Sequence, residues 1–232
     1  MDNAEVQKRF AELTTAHLAD ACVRAKVQVR CVELSAVQPG RVAGRVLPAR
    51  HVGSVDIFLE AFGSAASGDV LVVDNGGRRD EACVGDLVVQ EAKAAGLAGL
   101  VVWGLHRDTA DIRAIGLPVY SLGSVPNGPL RLDPLPADAL TAANVGEWTV
   151  TREDVVLADE DGAVFIPADR AEELFSLAES IRDTERRQAS LIEAGTPLRE
   201  QVRFEEYLAA RAGAPGLTFR QHLRRLGGAI EE

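Results

Sequence analysis

Gly85-Asp86-Leu87-Val88-Val89-Gln90-Glu91-Ala92-Lys93-Ala94-Ala95-Gly96-Leu97-Ala98-Gly99-Leu100-Val101-Val102-Trp103-Gly104-Leu105-His106-Arg107-Asp108 is the stretch whose reading decides the fold. Its periodicity predicts a turn at Gly85, a helix over Asp86–Ala95 stopped by Gly96, and an apolar strand over Leu100–Trp103. That strand delivers Gly104 to Asp108 past its end, where open α/β sheets bind ligands. Twenty residues separate Asp86 from the Arg107-Asp108 pair, the length of one helix, a turn and a strand. The spacing can bring a helix N-terminus, a guanidinium and a carboxylate to one edge of a sheet. Such groups suit a small anionic substrate beside a divalent cation.

The flanking sequence repeats the alternation. Between Val27 and Leu130, short segments rich in β-branched residues at 40–47, 70–74, 100–103 and 119–122 are punctuated by glycine, with helical patterns at 54–65 and 86–95. This is an α/β layer architecture. One amphipathic helix is expected over Val6–Arg24, carrying Phe10, Leu13, His17, Leu18 and Cys22. A strand pair, Trp148–Thr151 with Val155–Asp159, is expected to lead through the Asp161-Gly162 turn to Ala163–Ile166. Beyond Pro167 the pattern becomes helical: a Glu- and Arg-dense helix over 168–194 closed by Gly195, and a second helix over 198–212. A last helix starts at the Thr218/Gln221 capping box and stops at Gly227-Gly228. We therefore divide the chain into an α/β domain, 1–167, expected to carry the site, and a helical extension, 168–232, too thin for its own core. The extension is expected to pack on the domain or on a neighbouring subunit.

Hydrophobic residues make up 47% and charged residues 26% of the 232, the balance of an ordinary globular protein. No apolar run approaches the roughly 20 residues needed to span a bilayer. The opening Met-Asp-Asn-Ala-Glu lacks the basic start and apolar core of a signal peptide, so a cytoplasmic location is expected, with no membrane partner. Cys22, Cys31 and Cys83 show neither a zinc pattern nor a disulfide framework and are expected to be buried free thiols. The net charge of −10 argues against nucleic acid as a general partner. An anionic substrate must then be captured by local groups against the overall field.

Asp86 reads as the N-cap of its helix, with the amides of Leu87 and Val88 among the unpaired donors of the first turn. Either Asp86 does no more than cap, or this helix end receives a carboxylate. Arg107 can clamp a carboxylate with two prongs, and Asp108 can ligate Mg²⁺ or Mn²⁺; an Arg-Asp pair is also common on surfaces. His106, Asn75, Arg78 and Arg79 are pocket candidates, against structural or solvated alternatives. Trp103 and His51 read more simply as a core tryptophan and a surface histidine.

Gly68-Asp69-Val70-Leu71-Val72-Val73-Asp74, Gly76-Gly77, Gly85-Asp86-Leu87, and Gly104 with Arg107-Asp108 resemble the RraA-like family, which includes class II pyruvate aldolases acting on 4-hydroxy-4-methyl-2-oxoglutarate and 4-carboxy-4-hydroxy-2-oxoadipate. An Asp, twenty residues, then Arg-Asp is the family signature. Leu13–Ala21 and Ala158–Gly162 are similar to the family as well. The resemblance implies an α-β-β-α sandwich assembled as a homotrimer or homohexamer, with sites at subunit interfaces. It implies that Gly85, Asp86, Leu87 and Val88 hold the pyruvate carboxylate on backbone amides. Arg107 would bind the keto acid and stabilise enolate charge, and Asp108 would ligate the metal. A glutamate brought to the metal from the adjacent subunit's C-terminal helix has its nearest match in Glu185. Water beside the cation would move the protons, with Asp86 orienting one such water. Lys8, Lys26 and Lys93 lie outside this set, and none is needed for a Schiff base.

Three readings follow from the resemblance. One is a divalent-metal-dependent lyase cleaving a 4-hydroxy-2-oxo acid to pyruvate, with oxaloacetate decarboxylation as second activity because it forms the same enolate. Another is a non-enzymatic regulator like the RraA proteins that bind ribonuclease complexes; those are shorter and lack the extension. The third is a dedicated decarboxylase or a biosynthetic aldolase with another acceptor. No strand is followed by GxGxxG, so a methyltransferase reading is weak.

Overall fold

The structure, a computed structural model, describes residues 1–226. Helices α1 (Asn3–Phe10) and α2 (Thr15–Arg24) precede β1 (Arg30–Val32), β2 (Ser35–Ala36) and β3 (Val42–Arg50). Next come α3 (Asp56–Phe62), β4 (Val70–Asp74), β5 (Ala82–Val84), α4 (Asp86–Ala94), β6 (Gly99–Trp103), β7 (Leu105–His106), α5 (Thr109–Ile115) and β8 (Val119–Ser121). Strands β9 (Ala142–Val145), β10 (Trp148–Thr151), β11 (Asp154–Asp159) and β12 (Gly162–Pro167) lead to α6 (Ala171–Glu193), α7 (Leu198–Gln201), α8 (Phe204–Gly213) and α9 (Phe219–Leu226).

Side-chain alternation along the strands sorts the molecule into layers. The main sheet runs β1-β12-β11-β3-β4-β6-β8-β2, with β3, β4, β6 and β8 parallel and the outer strands antiparallel. On β4, Val70 and Val72 face one core while Leu71 and Val73 face another. The first core gathers Val42, Val101, Tyr120, Val156 and Phe165 from across the sheet, with Val145 and Val150 from the β9–β10 hairpin, so the sheet curls around its own inner face. The outer face is covered twice. Ile57 and Phe58 of α3, Val88 and Val89 of α4 and Ile112 of α5 cover the parallel end. Helices α1, α2 and α6 cover the antiparallel end through Phe10, Leu18, Leu174 and Phe175. This is the α-β-β-α sandwich with C-terminal helices that the resemblance implies.

Several expected elements are corrected. The single N-terminal helix is two, because Thr14 is extended and caps α2: its Oγ1 accepts the His17 amide at 3.3 Å, while His17 Nδ1 accepts the Thr14 amide at 3.0 Å. Such a cap contributes about 1 kcal/mol, and the break lets Phe10, Leu13, Leu18 and Cys22 all bury in one core. Trp148–Thr151 does not pair with Val155–Asp159. Gly146, at φ 62°, closes a tight hairpin to Ala142–Val145 instead, and β11 pairs with β12 and β3. The helix expected over 198–212 breaks at Arg203, which is left-handed at φ 47°. That break lets Phe204 and Tyr207 meet Phe219, at ring separations of 5.5 and 5.0 Å. Cys22 and Cys83 are buried free thiols, but Cys31 is exposed, pointing outward from edge strand β1. The expected stop at Gly227-Gly228 lies outside the described residues.

The first half of α6 belongs to the main core through Ala171, Leu174, Phe175, Ala178 and Ile181. Among the described residues, no helix is long and apolar enough to cross a membrane.

Candidate active site

A short parallel pairing builds the site. Strand β5 pairs with β7, with Val84 opposite His106, and the Arg107 amide donates to the Val84 carbonyl at 2.9 Å. The residues that follow each strand, Gly85 on one and Arg107-Asp108 on the other, are thereby set side by side. Gly85 is extended and makes helix α4 begin at Asp86. This corrects the expected cap: Asp86 is the first helical residue, not the N-cap, because Gly85 holds that place with no side chain to spend on it. The first intrahelical bond in which this end shares is the Val89 amide to the Gly85 carbonyl, 3.2 Å. Among the described residues, the amides of Leu87 and Val88 have no acceptor, as the geometry of a first turn requires.

Asp108 sits in the left-handed region at φ 60°, ψ 39°, and its side chain makes no capping bond to α5. Its Oδ2 lies 3.4 Å from Arg107 Nε. Both side chains are partly open to solvent, so this pair contributes little to stability and both groups can be reached by a ligand. A cavity of about 240 Å³ is lined by Gly85, Asp86, Leu87, Val88 and Arg107, together with His51, Val55, Cys83 and Pro129. Five of the predicted site residues therefore share one cavity, and Asp108 flanks it through Gly85.

Glu185 stands elsewhere. It lies on α6, over the antiparallel end, with Oε2 3.0 Å from His17 Nε2, whereas Asp108 caps α5 over the parallel end. Within one chain the two are not brought together.

The remaining candidates sort by their partners. His106 is buried with both ring nitrogens bound, Nδ1 to Ser121 Oγ at 2.8 Å and Nε2 to Thr109 Oγ1 at 2.9 Å. Burial pushes its pKa down, and it serves as a strut between β8 and α5. Cys83, on the cavity wall, has its thiol pushed up to about 12 by burial and remains a protonated, inert group. Asn75 is 1% exposed, and with Arg78 and Trp103 it lines a neighbouring cavity of about 580 Å³. Trp103 is half-buried, and its indole packs over Gly77, where a Cβ would lie 2.9 Å from Nε1. Arg79 is an exposed loop residue reaching the Leu122 carbonyl at 3.4 Å.

His51 is the residue that sequence reasoning misplaced. It is 4% exposed, not a surface histidine, and lines both cavities. Its ring stacks on Phe58 at 5.5 Å and 8°. Its position just past the end of β3 is the one sequence signal that could have found it.

A helix end with open amides and a solvent-accessible Arg-Asp pair, grouped at one cavity of an α/β sandwich, form the class of site that can receive a small acid. The family comparison is consistent with that class. A family model described as "RraA-like: Aldolase/RraA" matches residues 15–165, and the chain belongs to this family. It is 32% identical to a Dechloromonas aromatica protein named "Putative 4-hydroxy-4-methyl-2-oxoglutarate aldolase", over 53% of this chain and 74% of that one. It is 34% identical to Protein DlpA of Legionella pneumophila over 60% of this chain, but the match spans only 22% of DlpA. In structure it is similar to Streptomyces coelicolor RraAS2, described as an unusual member of the RNase ES inhibitor RraA protein family. That likeness has a TM-score of 0.67 and 26% identity, covering 77% of this chain and 92% of the other.

Proposed function

We propose that this chain is a divalent-metal-dependent lyase that cleaves a 4-hydroxy-2-oxo acid to pyruvate by retro-aldol reaction and decarboxylates oxaloacetate at the same site. The observation that carries the reading is the convergence of the Leu87 and Val88 amides, Arg107 and Asp108 around one cavity. The unpaired amides receive the carboxylate of the 2-oxo acid, assisted by the helix dipole, an interaction worth about 0.3–1 kcal/mol at an open site. Arg107 donates to the 2-oxo end and lies where negative charge accumulates as the carbon–carbon bond breaks.

The residues present fit a hard cation. Asp108 offers a carboxylate that no cap consumes, and it borders Gly85, the residue before Asp86 at the start of α4. Among the described residues no group of three or more His, Cys, Asp or Glu side chains could hold a metal ion. Mg²⁺ or Mn²⁺ needs no such group, since one or two carboxylates hold it alongside water and substrate oxygens. When bound, the cation supplies an electron sink for the developing enolate.

The reading includes a homotrimer or homohexamer in which Glu185 of an adjacent chain completes the site and the helical extension packs across the contact. Its support is the unusual exposure of Leu87 at the cavity, 78%, and of Leu130, 98%, in the loop after Pro129; large apolar groups left in water mark contact surfaces. The likeness to RraAS2 favours a second reading, a ribonuclease regulator with no chemistry of its own.

The test is pyruvate release from oxaloacetate and from 4-hydroxy-4-methyl-2-oxoglutarate with Mg²⁺ or Mn²⁺, with and without EDTA. EDTA-sensitive turnover above the free-metal background supports the lyase. A folded protein that turns over neither compound yet slows a ribonuclease E-type enzyme would establish the regulator.

A further inference from the structure

The proton inventory of the cavity points to a residue outside the Gly85–Asp108 stretch. Arg131 Nη2 lies 2.9 Å from Asn75 Oδ1, and the same oxygen is 2.9 Å from His51 Nδ1. A guanidinium has only donors, so the Asn75 atom it meets must be the amide oxygen, and an amide oxygen can only accept. His51 must therefore donate from Nδ1, and its neutral ring carries the lone pair on Nε2. No group among the described residues bonds to that Nε2.

The arrangement is held from every side. Glu81, 3% exposed, accepts from Arg131 Nε at 2.9 Å and fixes the guanidinium that fixes Asn75. The His51 amide donates to the Asp74 carbonyl at 2.8 Å, and the ring lies flat on Phe58. Burial pushes the His51 pKa down by more than the bond to Asn75 raises it, and the Arg131 charge adds to the fall against smaller pulls from Glu81 and Asp56. The imidazole is thus neutral at physiological pH and faces the cavity that also contains Gly85 and Arg107.

We propose that His51 is the proton-transfer residue for the hydroxyl end of the substrate, its Nε2 taking the 4-hydroxyl proton as the C3–C4 bond breaks. The electron pair of that bond passes into the 2-oxo group as an enolate, and C4 leaves as a carbonyl compound. The His51 imidazolium then returns its proton to C3, giving pyruvate and restoring the neutral ring. This role rests on the lyase reading above.

Oxaloacetate separates the two. Its decarboxylation forms the same enolate with no hydroxyl proton to remove. The test compares both reactions in the full-length, metal-loaded protein and in His51→Asn, whose amide can still donate to Asn75. The expected result is a fall of about a hundredfold in the ratio of aldol cleavage to decarboxylation, the scale of a lost general base. Equal loss of both reactions, or an unchanged ratio, overturns the role of His51 while leaving the lyase reading standing. If the wild-type protein turns over neither compound, the lyase reading falls and the His51 role with it. A second readout is independent of turnover: ¹⁵N NMR of the imidazole near neutral pH should show a protonated Nδ1 and a bare Nε2. The opposite tautomer overturns the proposal.

Discussion

Gly85 and Asp108 approach so closely that a Cβ on Gly85 would lie 2.6 Å from Asp108 Oδ2 and 3.4 Å from Arg107 Nε. Gly85 has φ −132°, ψ −173°, a conformation any residue adopts, so the glycine is required by the contact and not by the backbone. Gly85→Ala should therefore leave stability nearly untouched, within about 0.5–1 kcal/mol, because the carboxylate can swing aside. The displaced carboxylate should cost metal-dependent turnover about tenfold to a hundredfold, since a shift of an ångström at a positioned group has that effect. Steady-state kinetics beside a thermal melt would check it; a large loss of Tm with normal specific activity would contradict the account.

Asp108 adds a backbone constraint to its chemistry. At φ 60° only Gly, Asn and Asp are at ease, so an alanine there carries strain of about 1–2 kcal/mol besides the lost carboxylate. Asp108→Asn is the cleaner probe. It should melt like the wild type yet lose metal-dependent turnover by about a hundredfold or more, whereas Asp108→Ala should lose both turnover and stability. Metal titration by calorimetry on the Asn variant should show weakened binding. Retained affinity would remove Asp108 from the metal site.

Arg107→Lys should fail as a catalyst while folding normally. The side chain is 49% exposed, so stability should move by less than about 0.5 kcal/mol. A lysine cannot reproduce the two-pronged planar clamp, and kcat/KM should drop by about a hundredfold or more. Near-wild-type kinetics in Arg107→Lys would show that a point charge suffices.

The layers were legible where burial dictates residue type. Val70–Asp74 reads as a strand because every position is buried, and Gly85 to Asp108 reads as turn, helix and strand because its spacing allows little else. The β9 strand was not legible, because Ala142-Ala143-Asn144 carries no β-branched signal, and without it Trp148–Thr151 lacked its true partner. Arg203 gave no warning of a helix break, since a left-handed arginine has no compositional mark. At the site, sequence spacing named the residues around one half of the cavity. His51 escaped because its burial, its partner Asn75 and the arginine behind it come together only through β3, β4 and the later loop.

Acid should destabilise the fold before the bulk of the carboxylates titrate. Burial holds both His51 and His106 below the ordinary 6.5. As pH falls through 6.5 the unfolded chain gains protons on these rings and the folded chain does not, so stability rises with pH across this window. It is fully present above about pH 7.5 and declines toward pH 5. Urea midpoints at pH 7.5 and 5.5 would show the decline, and His106→Gln should flatten part of it. A midpoint independent of pH in the wild type would mean that the folded rings take up protons as readily as the unfolded ones.

Removing the Asp159 carboxylate should be costly for folding. It is 8% exposed, and it accepts the Thr15 amide at 2.7 Å, Thr15 Oγ1 at 2.6 Å and the Asp161 amide at 3.1 Å. Those bonds tie the start of α2 to the β11–β12 turn, joining two elements 144 residues apart in the chain. Asp159→Ala leaves buried donors with no acceptor, and bonds to a charged group are each worth about 1.5–3 kcal/mol, so a loss near 3 kcal/mol is expected. Asp159→Asn keeps one oxygen acceptor and should lose about half as much. Because the cavity at Gly85 lies on the other outer layer, kcat of the fraction that remains folded should not change. Denaturant unfolding with activity measured below the transition separates the two effects; a catalytic defect at full folding would place Asp159 in the chemistry instead.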